Sequence, residues 1–132
     1  MNKHLEKYYA AYKAMKEAAI EAMKEYGKRL DVRKECKKKL AKQKGYGSEE
    51  EITEDELHDF ILTNTYSCFF IGKHEEIYLV NIEMVRYNEE TKDVDAYLES
   101  DDGYVSDWYP VSWISGDVDA VYQTVLDFLT ED

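Results

Sequence analysis

Residues 66–87 read YSCFFIGKHEEIYLVNIEMVRY. Tyr66, Cys68, Phe69, Phe70 and Ile71 form one apolar run, and a polar break with Gly72 follows. In the second run Tyr78, Val80, Ile82 and Met84 share one parity, with Asn81 and Glu83 on the other. β-Branched and aromatic residues at period two on both sides of a Gly-containing loop predict a β-hairpin. A hairpin alone is marginal in water, so its apolar face must meet a third strand or a helix.

Downstream, Asn88, Glu89, Glu90, Thr91 and Lys92 read as a turn. Val94, Ala96 and Leu98 then alternate with Asp95, Tyr97 and Glu99, a strand with one wet face. Asp101, Asp102 and Gly103 signal another turn. A fourth strand is expected within 104–113, with Pro110 confining it to an edge or a bulge. A final helix should follow, capped by Ser115, with Asp117 and Asp119 in its first turn. Val118, Val121, Tyr122, Val125, Phe128 and Leu129 would form its buried stripe.

Upstream, residues 3–26 are rich in Ala, Lys, Glu and Met, all good helix formers. Leu5, Tyr8, Tyr12, Met15, Ala19, Ala22 and Tyr26 recur at steps of three and four, a face built to lie on something. The repeat is too short and too rich in small residues to favour a coiled coil. After a break at Gly27, residues 28–44 are expected to continue as a basic helix, with Val32, Cys36 and Leu40 as a narrow apolar line. Gly45 would end it. Two capping-box patterns, starting at Ser48 and Thr53, precede Leu57, Phe60 and Ile61, which predicts a helix over 54–63.

The predicted fold class is therefore α+β. It comprises a basic N-terminal helical arm, a short helix, a four-stranded antiparallel sheet and a C-terminal helix packed on one face of the sheet. Residues 1–44 form the amphipathic arm and residues 45–132 an acidic α+β domain, and the boundary between them predicts that the domain folds without the arm.

The chain's 132 residues are enough for one hydrophobic core. Its two cysteines, Cys36 and Cys68, are far apart and suggest no disulfide framework, so Cys68 reads as a small core residue. The opening residues, MNKHLEKYYAAYK, carry charge where a signal peptide has an apolar run, and no stretch has the length of a membrane helix. A cytoplasmic protein with no membrane association is expected.

The net charge of −12 is unevenly spread. Residues 1–44 hold 14 Lys or Arg and 6 Asp or Glu, a net of +8. Residues 45–132 hold only Lys73, Arg86 and Lys92 against 23 acids, a net of −20. Such asymmetry points to a polyelectrolyte partner or to pairing within the chain.

The search for chemistry returns no nucleophile elbow, phosphate-binding loop, dinucleotide fingerprint or zincin motif. His4, Cys36, His58, Cys68 and His74 do not stand at zinc spacing. Glu54, Asp55 and His58 share a helix face, but a di-metal bundle needs two such motifs. The acids from Asp93 to Asp102 fit no EF-hand register. No catalytic residue, metal or cofactor is assigned, and an enzyme is not expected.

Charge supports two binding expectations. In the first, Glu99, Asp101, Asp102, Asp107, Trp108, Tyr109 and Trp113 bind a basic partner protein. Carboxylates interleaved with aromatics can imitate phosphates and stackable bases. In size and charge the chain resembles the small acidic inhibitors that phages and mobile elements direct at host defence nucleases, including anti-CRISPR proteins and DNA mimics. The resemblance implies an anti-defence inhibitor whose target is a nucleic-acid-binding enzyme. Of Trp108 and Tyr109, at least one should be exposed, since a strand points neighbours to opposite faces.

In the second, Lys28, Arg29, Arg33, Lys34, Lys37, Lys38, Lys39 and Lys42 contact nucleic acid phosphates. An acidic domain opposes this, so binding of free nucleic acid is not expected. The basic arm could instead pair with the acidic domain of its own chain or of a second copy, and the first helix could support a homodimer.

Overall fold

A computed structural model describes residues 2–64, 68–71, 77–115 and 119–129. The expected α+β arrangement is present. Helix α1 spans Lys3–Tyr26, α2 Val32–Lys44, α3 Glu54–Asn64 and α4 Ala120–Leu129. The four expected strands are β2 (Cys68–Ile71), β3 (Ile77–Asn88), β4 (Asp93–Ser100) and β5 (Ser106–Pro110). Two short ones join them, β1 (Arg29–Asp31) and β6 (Ile114–Ser115). The order is β5-β4-β3-β2-β6, and every pairing is antiparallel. Pro110 ends the edge strand β5, where a missing N–H costs no ladder bond. The hairpin loop 72–76, the side chain of Cys68, and Asp117 and Val118 lie outside the described residues.

Strand β1 corrects the expectation of one helix over 28–44. Its residues pair with Met84, Val85 and Arg86, on the side of β3 away from β4. Gly27 makes the reversal possible: its φ of 150° lies where side chains are rarely tolerated. Helix α2 starts only at Val32, where the Asp31 carboxylate accepts a hydrogen bond from the Lys34 amide at 2.9 Å. Lys28 and Arg29 therefore lie ahead of the helix. At its other end Gly45 adopts the left-handed conformation, and the Tyr46 amide donates to the Ala41 carbonyl at 3.0 Å.

Helix α3 starts as its sequence specifies, with the Glu56 amide donating to Thr53 Oγ1 at 3.1 Å. The earlier capping pattern yields only a 3₁₀ turn over Glu49–Glu51. Ser115 belongs to β6, five positions ahead of α4, so it is not the cap of that helix.

One core takes side chains from every helix and from both sides of the charge boundary. Met23, Leu30, Val32, Cys36 and Leu40 are buried with Leu57, Ile61, Val80, Ile82, Leu98, Val121, Tyr122 and Val125. Helix α4 packs along α1, and both touch β3. The Tyr12 and Tyr122 rings meet edge to face, centroids 6.1 Å apart. Tyr122 donates its hydroxyl to Asp93 Oδ1 at 2.9 Å, and Lys16 reaches Oδ2 of the same carboxylate at 3.3 Å.

The stripe expected on α1 is buried only in its second half. Tyr12 and Met15 pack against the core and Ala19 and Ala22 lie inside it, whereas Leu5, Tyr8 and Tyr26 are exposed. At 1.5 Å per residue, the ten residues of α4 cover about 15 Å of a helix about 36 Å long.

A β-bulge changes the parity of β3. Ile82 faces Leu98 and Met84 faces Tyr97, which leaves Glu83 as the extra residue between them. Val85 then takes the core side in place of Met84, whose sulfur accepts from Arg29 Nη2 at 3.4 Å.

Candidate functional site

Glu83 sits at the bulge, on the face it shares with Asn81 and Glu99. Its side chain is only 8% exposed, although it is charged. Oε1 lies 3.7 Å from Arg33 Nη1, and Oε2 has no hydrogen-bond partner. Burial pushes the Glu83 carboxyl above the usual carboxylate range; Arg33 opposes the shift and Glu99 adds to it. Arg33 is shared, because its Nη2 also pairs with Glu54.

A cleft of about 380 Å³ opens beside this group. Arg33 enters it from α2, and Glu54, Asp55 and His58 from α3. Asn81 and Glu83 come from β3, Glu99 and Ser100 from β4, and Asp101 from the turn that follows. The lining thus holds five carboxylates to one guanidinium. A neighbouring cleft of about 330 Å³ includes Asp31, Met84 and Tyr97, and it shares Arg33, Glu83 and Glu99 with the first. His58, on the helix face of Glu54 and Asp55, has its Nε2 3.2 Å from Asp101 Oδ1. Among the described residues, no three His, Cys, Asp or Glu side chains gather as a metal site.

The residues expected to bind a basic partner fall into three groups. Glu99 and Asp101 line the cleft. Asp102 is engaged in its own turn: Oδ1 accepts from Ser100 Oγ at 2.6 Å and from the Tyr104 amide at 3.1 Å. These two bonds hold its carboxyl below the usual range. Asp107, Trp108, Tyr109 and Trp113 lie on or just after β5.

Neither Trp108 nor Tyr109 is exposed, contrary to the alternation argument. Trp108 faces away from the core but is covered by the Arg86 guanidinium at 4.2 Å and the Arg29 guanidinium at 5.5 Å from its ring centroid. Tyr97 meets its ring edge to face at 5.6 Å. Tyr109 packs against the core. The exposed aromatics nearby are Tyr104, at 83%, and Trp113, at 56%.

The basic set is largely engaged within the chain. Lys28 pairs with Glu89 at 2.5 Å, and each holds the other's charge: the Lys28 pKa is raised and that of Glu89 lowered. Arg29 and Arg33 are engaged as described. Lys38 lies 3.6 Å from Glu35, and Lys39 sits 4.4 Å from the centroid of the Phe128 ring on α4. Lys44 pairs with Glu56 at 3.6 Å. Lys34, Lys37 and Lys42 have no carboxylate partner among the described residues.

Sequence reasoning missed Glu83, Asn81 and Arg86. An acid inside the apolar run IYLVNIEMV was the available signal for Glu83. No helix among the described residues is long and apolar enough to cross a membrane. No family model, curated protein or solved structure matches the chain.

Proposed function

We propose that this is a non-catalytic interaction protein that binds a basic partner protein through its acidic surface, in a reducing cytoplasm. A nucleic-acid-binding enzyme antagonised by a phage or mobile element is the kind of partner its size and charge suggest. One observation carries the reading. Of the cations of residues 28–44, Lys28, Arg33, Lys38 and Lys44 pair with carboxylates within the chain, while the cleft holding Glu99 and Asp101 keeps five carboxylates against Arg33. The uncompensated charge of the cleft is thus acidic and concentrated, a field that steers a basic surface towards it.

Association with a captured partner, followed by surface plasmon resonance, tests this. Reversing Glu99, Asp101 and Asp107 to Lys should slow association with little change in dissociation. Trp113→Ala should mainly speed dissociation, by about 2 kcal/mol if the ring is a hot spot. A complex whose association is indifferent to salt between about 0.05 and 0.5 M would overturn the reading.

Two further readings each have one supporting observation. Lys34, Lys38 and Lys42 are exposed at four-residue intervals along α2, as a phosphate-contacting face would be. Tight binding of free DNA or RNA, lost on neutralising Lys37, Lys38, Lys39 and Lys42 together, would favour it. Leu5, Tyr8 and Tyr9 are exposed on α1, which suits self-association. A dimer seen by sedimentation and dissolved by Tyr8→Glu would favour that.

A further inference from the structure

We propose that the cleft between α3 and the β3–β4 strands receives the guanidinium of an arginine side chain from the partner, with the Glu83 carboxylate as its innermost acceptor. The proposal rests on the reading that the partner is basic, and it adds which side chain enters and where.

The argument starts from Glu83. Its side chain is more than nine-tenths buried, it forms part of the cleft wall, and Oε2 lacks a hydrogen-bond partner. A buried carboxylate oxygen left unpaired is costly, and native proteins rarely leave one without a reason. The resident cation does not meet the need. Arg33 Nη1 stands 3.7 Å from the other oxygen, Oε1, beyond hydrogen-bond reach, and Arg33 is also committed to Glu54. Glu83 stands at the bulge beside the cleft, and because Oε2 is itself shielded from solvent, the carboxylate must turn for an entering cation to reach that oxygen.

The surroundings select the ligand's class. An anion would meet the five carboxylates of the lining. A metal ion lacks its ligands, since no three suitable side chains gather among the described residues. An organic cation meets acceptors at several depths: Glu83 inside, Asn81 beside it, and Glu99 and then the exposed Asp101 towards solvent. A guanidinium suits this better than an ammonium. Its planar fork can serve carboxylates on two sides at once, and it is more weakly hydrated, so entering a partly buried cleft costs it less.

NMR titration of the intact protein with Nα-acetyl-arginine amide tests the proposal, with the lysine and citrulline counterparts as controls. Saturable shifts at Glu83, Asn81 and His58 are expected with the arginine probe. Affinity should fall about tenfold or more for citrulline, which keeps the shape and loses the charge. Glu83→Gln should weaken the arginine probe by a similar factor while its circular dichroism stays that of the parent, and Glu99→Gln should weaken it less. Absence of saturable binding, equal binding of citrulline, or full binding by Glu83→Gln overturns the proposal. The acidic-surface reading fails separately. A basic protein whose salt-dependent association is unchanged in Glu83→Gln removes the cleft and keeps the surface. A saturable arginine probe with salt-indifferent partner association does the reverse.

Discussion

The guanidinium of Arg86 lies over the ring of Trp108, 4.2 Å from its centroid, while its Nε donates to Asp95 Oδ2 at 3.1 Å. One side chain thus joins three strands: Arg86 on β3, Asp95 on β4 and Trp108 on β5. Asp95 is buried and needs that donor, with Asn88 Nδ2 at 3.2 Å as its second. Trp108 is therefore a structural residue first. Trp108→Ala should lower stability in the absence of any partner. Arg86→Ala should cost more than the ~0.5–1 kcal/mol of a cation–π contact, because Asp95 then loses a charged donor. Urea unfolding of both variants measures this; parent-like midpoints would show the stack to be incidental.

Residues 45–132 alone should not fold cooperatively. Deleting the first 44 residues removes β1 from the long strand and takes Met23, Leu30, Val32, Cys36 and Leu40 out of the shared core. A sharp urea transition in the fragment would instead establish the acidic part as an autonomous domain. In the intact protein, burial pushes the Cys36 thiol up to about 12, so a thiol reagent should modify it only on unfolding.

Position along α4 should grade the cost of substitution. Val125 is fully buried, whereas Leu129 is only partly so. Val125→Asp should abolish folding by burying an unpaired charge. Leu129→Ala should fall at or below the low end of the ~2–5 kcal/mol range for a core leucine. Tyr122→Phe should cost about 1–2 kcal/mol through the lost bond to Asp93. Thermal and urea melts give the order, and a Leu129 variant as damaged as that of Val125 would contradict it.

Glu83 makes a stability change with pH measurable. Its folded-state pKa is raised, so between the unfolded value near about 4.3 and the folded value the native protein binds more protons than the unfolded chain. Stability from this group is full below the unfolded value and declines as pH rises through the folded one. Glu83→Gln removes the decline. It should gain on the parent as pH rises from about 4 to 7, by on the order of 1 kcal/mol, the scale of one unpaired buried acceptor. Arg33 keeps Glu54 as its partner in this variant. A stability difference that stays flat across that range would assign the titration elsewhere.

What the sequence disclosed depended on range. The 66–87 hairpin, the Thr53 cap and the edge position of Pro110 follow from rules that act over a few residues, and they were legible. Strand β1 was not, because three residues inside a lysine-rich, helix-forming run become a strand only by pairing with Met84–Arg86. Gly27 and Asp31 carried the local signs of it. The bulge at Glu83 hid for a similar reason: period-two reading assumes an unbroken ladder. Glu99 and Asp101 were legible as acids, but their meeting with Arg33, Glu83 and His58 depends on where α2 and α3 lie. One of Trp108 and Tyr109 reads as an exposed anchor until the two arginines over Trp108 are placed.

Helix α1 and helix α4 lie side by side although nearly the whole chain separates them. A polypeptide emerging from the ribosome N-terminus first therefore carries Tyr12 and its neighbours without their cover until 120–129 has been made. Closing so distant a contact is slow, and apolar surface left waiting invites chaperones or aggregation. Truncation within α4 should accordingly reduce soluble yield in cells more than its small share of the core suggests.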